Sequence, residues 1–350
     1  MHERNFIAAP PPRRVRWARG SGLAALGLLL LIVACTAGLR RPRSVENGEG
    51  YRWVSLAELG RVYGLRAEAG APDDRPVLTG SRRLEFESGS HRVRFDGTLI
   101  WMHHALSRHR AKWSVAQSDA LEMLDPLLRP ASHLERQGAR RIMLDPGHGG
   151  TDGGTSYGRI QEKDLTLDLA RKVRARLEAY GFEVRMTRDR DEFIPLELRA
   201  EQARTWEADL FISIHFNASS ESSAHGTETY ILSRTGLPST NDRAAAAVSR
   251  RRSAAPGNRH DAPSVVLGYY LHRGLLRFSG GEDRGLRYAR FVVLREAPCP
   301  AALVECGFLS HPGDRARIQD PAHMDHMARG LATGAAQYLD AVLMAQISPR

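Results

Sequence analysis

The 350-residue chain has three cysteines, Cys35, Cys299 and Cys306, too few for a disulfide-dense scaffold. Lysine is almost absent. Lys112, Lys163 and Lys172 are the only three among 50 basic residues, a compositional bias toward arginine rather than a functional signature. There is no internal repeat and no collagen-like glycine period. A single long apolar run, Leu23 to Ala34, excludes a multi-span membrane protein. What is present is globular. Hydrophobic residues make up 42% and charged residues 26%, enough to bury a core and too apolar for a disordered chain. At about 100–200 residues per domain, one or two domains and a short extra segment are expected.

The formal charge of +10 could suggest nucleic acid, but its location argues otherwise. Residues 1–43 hold eight arginines against the single acid Glu3, which accounts for +7 of the excess. Basic residues crowded around an apolar stretch mark a targeting segment before they mark a nucleic-acid footprint. Arg13, Arg14, Arg16 and Arg19 precede the Leu23–Ala34 run, and Ile32-Val33-Ala34-Cys35 resembles a bacterial lipobox in which the cysteine is acylated. Residues 1–39 are therefore expected to be a lipoprotein signal, an uncleaved membrane helix over Gly20–Leu39, or a signal cleaved after Ala37. Each reading places the body of the protein in the cell envelope or periplasm, with membrane attachment through Cys35 or the helix. For Cys299 and Cys306 a disulfide is permitted there, but Cys306 lies in an apolar strand pattern that suits a buried thiol.

Residues 40–50 read as a tether and 51–130 as a small α+β module. In that module Ser55 precedes a helix, Leu84–Glu87 and Val93–Phe95 alternate as half-buried strands, Gly89 and Gly97 mark turns, and a short helix from Ser118 is expected to end before Pro126. The pattern resembles the N-terminal-like module of copper amine oxidases, without its copper site. His103, His104 and His109 invite a metal reading, but adjacent histidines on a strand face opposite ways. After a linker over 131–139, residues 140–346 alternate apolar strands with longer helices. The expected strands are Arg141–Asp145, Phe182–Thr187, Leu210–His215, Thr227–Leu232, Phe291–Leu294 and Ala301–Glu305. The expected helices are Asp164–Tyr180, Leu196–Glu207, Ser264–Phe278 and His323–Met344. Leu165, Leu169, Val173 and Leu177 recur every four positions and give the first helix one buried face. This is an α/β domain with a mainly parallel sheet flanked by helices, in which function gathers at strand C-terminal ends.

Four features sit at those ends. Asp145-Pro146-Gly147-His148-Gly149-Gly150 lets backbone pack closely around a ligand or ion, but lacks the endings of phosphate and dinucleotide loops. Glu162 precedes a long helix, where an acid can simply cap the N-terminus. Ser213-Ile214-His215-Phe216-Asn217 ends an apolar strand in a histidine, and Leu303-Val304-Glu305-Cys306-Gly307-Phe308 ends another in an acid that needs a partner if buried. Each alone has an ordinary structural explanation. Together, His148, Glu162 and His215 make a three-ligand set for Zn²⁺ with a fourth position open to water, and Glu305 is left as a general base. The His-Glu-x-x-His helix of metalloproteases is absent.

These motifs, with Lys163 and Thr187-Arg188, closely resemble the zinc-dependent N-acetylmuramoyl-L-alanine amidases over about Arg140 to Met344. The resemblance implies zinc held by His148, Glu162 and His215, Glu305 as the catalytic carboxylate, an α/β fold, and peptidoglycan as substrate in wall remodelling or cell separation. It also implies a possible envelope activator protein. Arg204 and His311 stand where that family more often has asparagine. Residues from about Gly236 to Pro263 look like an insertion, in a region where some relatives carry an inhibitory helix; its Arg250–Arg252 run suits anionic wall polymer or an activator. Two other readings are another zinc-dependent amide hydrolase, such as a deacetylase or peptidase, and a non-catalytic peptidoglycan-binding lipoprotein.

Overall fold

The apolar runs around Leu144, Ile212 and Val304 form neighbouring parallel strands buried on both faces. In the computed structural model, which describes residues 41–46, 52–134, 140–240 and 253–347, they lie within one eleven-stranded sheet. Glu183–Met186, Arg141–Pro146, Leu210–Asn217 and Ala301–Phe308 run parallel in that order. Thr227–Leu232 then pairs antiparallel to Ala301–Phe308, and Asp283–Ala289 runs parallel to Thr227–Leu232. Beyond it the sheet continues without a break into Thr98–Trp101, through the pair Leu286 and Ile100. It ends in the antiparallel strands Arg92–Phe95, Arg83–Phe86, Val77–Thr79 and Arg66–Ala67.

The sheet is therefore mixed, not mainly parallel. Thr227–Leu232 reverses direction, and the strands before residue 102 are joined by turns too short for anything but antiparallel neighbours. The left-handed backbone at Gly97, φ 81°, makes one of those turns. Segments expected as a separate module and a catalytic domain share this sheet. A second, four-stranded antiparallel sheet contains Arg52–Ser55, Ser107–His109 and Lys112–Ala116.

Two local expectations change. Phe291–Leu294 is not a strand. Val292–Arg295 forms one helical turn, and the strand beside it is Asp283–Ala289, whose alternation is broken by Gly285 at φ 93°. The turn before Pro126 does not end there: Pro126 lies in the first turn of the helix Asp125–Leu128, where a missing N–H costs nothing. Ser55 caps Leu56–Tyr63, its side chain accepting from the Glu58 N–H at 3.2 Å.

Helices Glu162–Ala179, Asp261–Ser279 and Pro321–Ile347 cover one face of the sheet, burying Leu169, Val173, Leu271 and Leu331 against Ile212, Ile214 and Val304. Leu196–Thr205 and Val292–Arg295 cover the other, where Ala203 and Val293 join Met143, Phe211 and Leu303. Cys299 and Cys306 are free and buried, and burial pushes both thiols up. None of the described helices is long and apolar enough to cross a membrane. Cys35 and the rest of the expected signal, and the Arg250–Arg252 run, lie outside the described residues.

Asp261–Ser279 and Pro321–Ile347 touch backbone to backbone. A Cβ added at Gly274 would stand 2.4 Å from the Gly330 carbonyl oxygen, and one at Gly334 would stand 2.5 Å from that of Tyr270. Gly274→Ala is expected to lower stability by about 1–3 kcal/mol through overpacking, read as a shift in urea midpoint at constant m-value.

Candidate metal centre

The parallel strands end at one edge of the sheet, and the unusual residues are there. Pro146 is the last residue of its strand, and the chain then turns through Gly147 and His148, the latter at φ 61°. The turn requires its glycines. A Cβ at Gly147 would lie 2.2 Å from His215 Cε1, and one at Gly154 would lie 2.6 Å from His148 Cδ2. Glu162 opens its helix and is buried. His215 lies in the strand Leu210–Asn217, in register with Glu305 on the next strand.

His148, Glu162 and His215 converge, each offering a ligand atom within 4.8 Å of the others; among the described residues this is the one such group. His148 Nε2 lies 3.2 Å and His215 Nδ1 3.0 Å from Glu162 Oε1. A tetrahedral ion with bonds of about 2.0–2.1 Å separates its ligands by about 3.3 Å, so these atoms suit zinc. The other nitrogen of His148, Nδ1, faces Asp152 Oδ2 at 2.9 Å, which leaves Nε2 for the centre. The remaining acceptors of Glu162 are also occupied. Its Oε2 accepts from the Thr155 N–H at 2.9 Å, and Oε1 accepts from the Phe216 N–H at 3.1 Å.

Burial opposes the charge on Glu162, but His148 and His215 outweigh it and hold the carboxyl well below its usual range. For His148 burial works against the proton, and Glu162 and Asp152 more than restore it. Glu305 shows the reverse. Burial, then the nearby charges of Glu162 and Glu228, push its carboxyl well above the usual range, and its Oε2 is buried without a hydrogen-bond partner. A cation among the three ligands would offset that cost.

Two arginines hidden from solvent brace the His148 loop. Arg199, 1% exposed, donates from Nη1 to Asp145 Oδ1 and to the Pro146 carbonyl, both at 2.8 Å, and from Nη2 to the His148 carbonyl at 2.7 Å. Arg188 donates from Nη2 to the carbonyls of Gly147 and Lys163 at 2.8 Å, linking the loop to the start of the Glu162 helix. Lys163 Nζ adds a bond to the Gly150 carbonyl at 2.9 Å. The sequence pattern misses Arg199 because hydropathy points the wrong way. Leu196 and Leu198 are about half exposed, at 49% and 52%, while Arg199, the next residue in the chain, is buried.

The other histidines are elsewhere. His104 Nδ1 faces Asp119 at 3.1 Å, His103 stacks on Tyr288, and His109 stacks on Trp53. His311 caps a short helix by accepting from the Asp314 N–H, and Arg204 donates to the Glu296 carbonyl. The insertion leaves the sheet after Leu232. Two residues earlier Tyr230 is opposite Leu303, so Leu232 lies toward Ala301, the strand end away from the ligands.

Residues 142–337 match the family model Amidase_3, N-acetylmuramoyl-L-alanine amidase. The chain is 34% identical over 218 residues to the N-acetylmuramoyl-L-alanine amidase AmiC of Neisseria meningitidis, covering 57% of this chain and 52% of that protein. It is 34% identical over 199 residues to the amidase CwlM of Bacillus licheniformis, covering 56% and 68%. It is 30% identical over 263 residues to the amidase AmiA of Salmonella typhimurium, covering 69% and 87%. The chain thus spans about half the length of the Neisseria relative and most of the Salmonella one. With more than half of its length matched by the family model, and with His148, Glu162 and His215 inside that match, the chain belongs to the N-acetylmuramoyl-L-alanine amidase family.

Proposed function

We propose that the protein hydrolyses the amide bond between the lactyl group of N-acetylmuramic acid and L-alanine in peptidoglycan. His148 Nε2, Glu162 Oε1 and His215 Nδ1 would hold a zinc ion, with Glu305 beside them. The observation that carries the reading is the convergence of these three ligand atoms next to the Glu305 carboxyl, whose Oε2 is buried without a hydrogen-bond partner. When bound, zinc supplies Lewis acidity toward the amide carbonyl and brings the pKa of water down to about 7. Glu305 takes the proton of the attacking water and passes it to the L-alanine nitrogen as the C–N bond breaks. Asp152 keeps His148 turned with Nε2 inward, and Arg188 and Arg199 fix the loop that carries it.

Residues 140–346 form the catalytic region in this reading, and the segment over 51–130 supports it. Wall remodelling or cell separation in the envelope is the setting, with attachment through acylated Cys35 or an uncleaved N-terminal helix and a possible activator protein. Cys35→Ser separates the two attachments: loss of membrane fractionation indicates the acyl chain, and retention indicates the helix.

Mass spectrometry of sacculi digested by the soluble protein tests the activity, with zinc measured on the same sample. Free stem peptides beginning with L-alanine are expected. Products cut at another bond, or intact sacculi with a fully loaded enzyme and no activator dependence, would sink the assignment. Asp152→Ala is expected to weaken zinc binding about 10–100-fold, measured by competition with a chromogenic chelator, without removing a ligand.

A further inference from the structure

Glu305 is aimed by its backbone. Its Oε2 has no hydrogen-bond partner, so the direction of the carboxyl depends on the strand that carries it. That strand is regular only as far as Glu305. On one side Glu305 pairs with His215, and the register then slips so that Asn217 faces Phe308. Cys306 and Gly307 therefore stand opposite the single residue Phe216, which is a bulge. On the other side Glu305 pairs with Glu228, the last pair of the antiparallel ladder at that end. Gly307 has φ 144°, a backbone that favours glycine, and a Cβ there would meet Ile318 Cδ1 at 3.1 Å.

Where pairing stops, the strand N–H groups need other acceptors. One carboxylate supplies them. Asp314, 8% exposed, accepts at Oδ2 from the Phe308 N–H at 3.0 Å and from the Gly226 N–H at 2.8 Å. Phe308 directly follows the bulge, and Gly226 directly precedes the strand Thr227–Leu232. A single oxygen thus ties the strand of Glu305 to the strand of Glu228 just beyond their last pair. Asp314 is itself held. It lies in the helix Pro312–Ile318, which His311 caps, and Arg315 beside it donates from Nη1 to the Leu309 carbonyl at 2.7 Å.

We propose that Asp314 is a positioning residue for Glu305: by pinning the bulge that follows Glu305, it fixes where the Glu305 carboxyl stands relative to the reacting water and amide nitrogen. The proposal rests on the amidase reading, in which Glu305 moves the proton. Its consequence is specific. Misplacing a reacting group by about 1 Å costs about 10²-fold in rate. His148, Glu162 and His215 are on other elements, so the metal centre stays assembled. Glu305 acts in the transition state, so kcat falls while KM does not.

The test measures kcat and KM for a soluble muramoyl tripeptide on the zinc-loaded full chain. Asp314→Ala is expected to lower kcat about 10²-fold, with KM unchanged and one zinc per chain. Asp314→Asn, whose amide oxygen can still accept both N–H groups, should recover most of the loss. The deciding arm is the double variant. In a chain already carrying Glu305→Gln, adding Asp314→Ala should cost less than about twofold, because a residue that acts through Glu305 has nothing left to aim. Equal losses with and without the Glu305 carboxyl overturn the proposal. Loss of zinc in Asp314→Ala also overturns it, since the residue would then be a general support of the centre. If Asp314→Ala fails to fold, Gly307→Ala strains the same bulge and must show the same non-additivity with Glu305→Gln. A parent that turns over neither this substrate nor sacculi removes the amidase reading, and the proposal falls with it. Additive losses in an active parent remove the proposal alone.

Discussion

Glu305→Gln leaves one zinc per chain and lowers stem-peptide release by about 10²–10⁴-fold, the range expected when a positioned proton carrier is lost. The argument is local. Glu305 is on the strand next to His215, it is not among the three converging ligand atoms, and its Oε2 has no hydrogen-bond partner. Glutamine keeps the shape and removes the ability to take a proton. It also removes a carboxyl whose charge burial, Glu162 and Glu228 all disfavour, so thermal stability should hold or rise. Glu162→Gln is the contrast. There a ligand is lost, and zinc should leave together with activity. Metal content and melting temperature, measured on both variants, decide between the roles. Loss of zinc in Glu305→Gln would reassign Glu305 as a ligand, and near-normal turnover would end its role as proton carrier.

The candidate cluster was legible because each of its residues stands beside an apolar run, a helix start or a glycine loop that sequence delimits well. His215 and Glu305 close apolar runs, Glu162 opens a helix, and His148 lies among glycines whose absent side chains make room for the other ligands. The bracing was not legible. Arg199 is in a helix whose neighbouring leucines face solvent, and its burial depends on Asp145, which is 54 residues earlier in the chain. No periodicity encodes such a pair. The extent of the sheet was hidden for a related reason. Asp283–Ala289 is rich in arginine and interrupted by Gly285, so it reads as a loop, yet it carries the link from the parallel strands to Thr98–Trp101. Its polar residues have partners, Glu228 and the Trp101 ring among them, that only the folded chain supplies. In both places the counter-charge of an arginine is distant in sequence.

The Asp145–Arg199 pair gives the largest expected effect on stability. Asp145 is buried, and it accepts from the Thr187 hydroxyl and the Ser213 hydroxyl at 2.7 Å as well as from Arg199. Burial raises its carboxyl, but Arg199 and the two hydroxyls outweigh burial and hold it below the usual range. A carboxyl lowered in the folded state contributes stability that is present above its unfolded pKa of about 3.9 and is lost as pH falls through the folded value. Arg199→Met leaves that carboxylate buried without its cation, a loss of about 3–5 kcal/mol at pH 7. The same change lets burial dominate at Asp145, so its carboxyl should rise and take a proton as the solution is acidified. The variant's deficit against the parent is therefore expected to shrink between pH 7 and pH 4.5, measured by urea denaturation at both. An equal deficit at the two pH values would assign the loss to the bonds Arg199 gives the carbonyls of Pro146, His148 and Ile194, rather than to charge. Zinc affinity separates these causes further, because releasing the His148 carbonyl loosens the ligand loop whichever way Asp145 titrates.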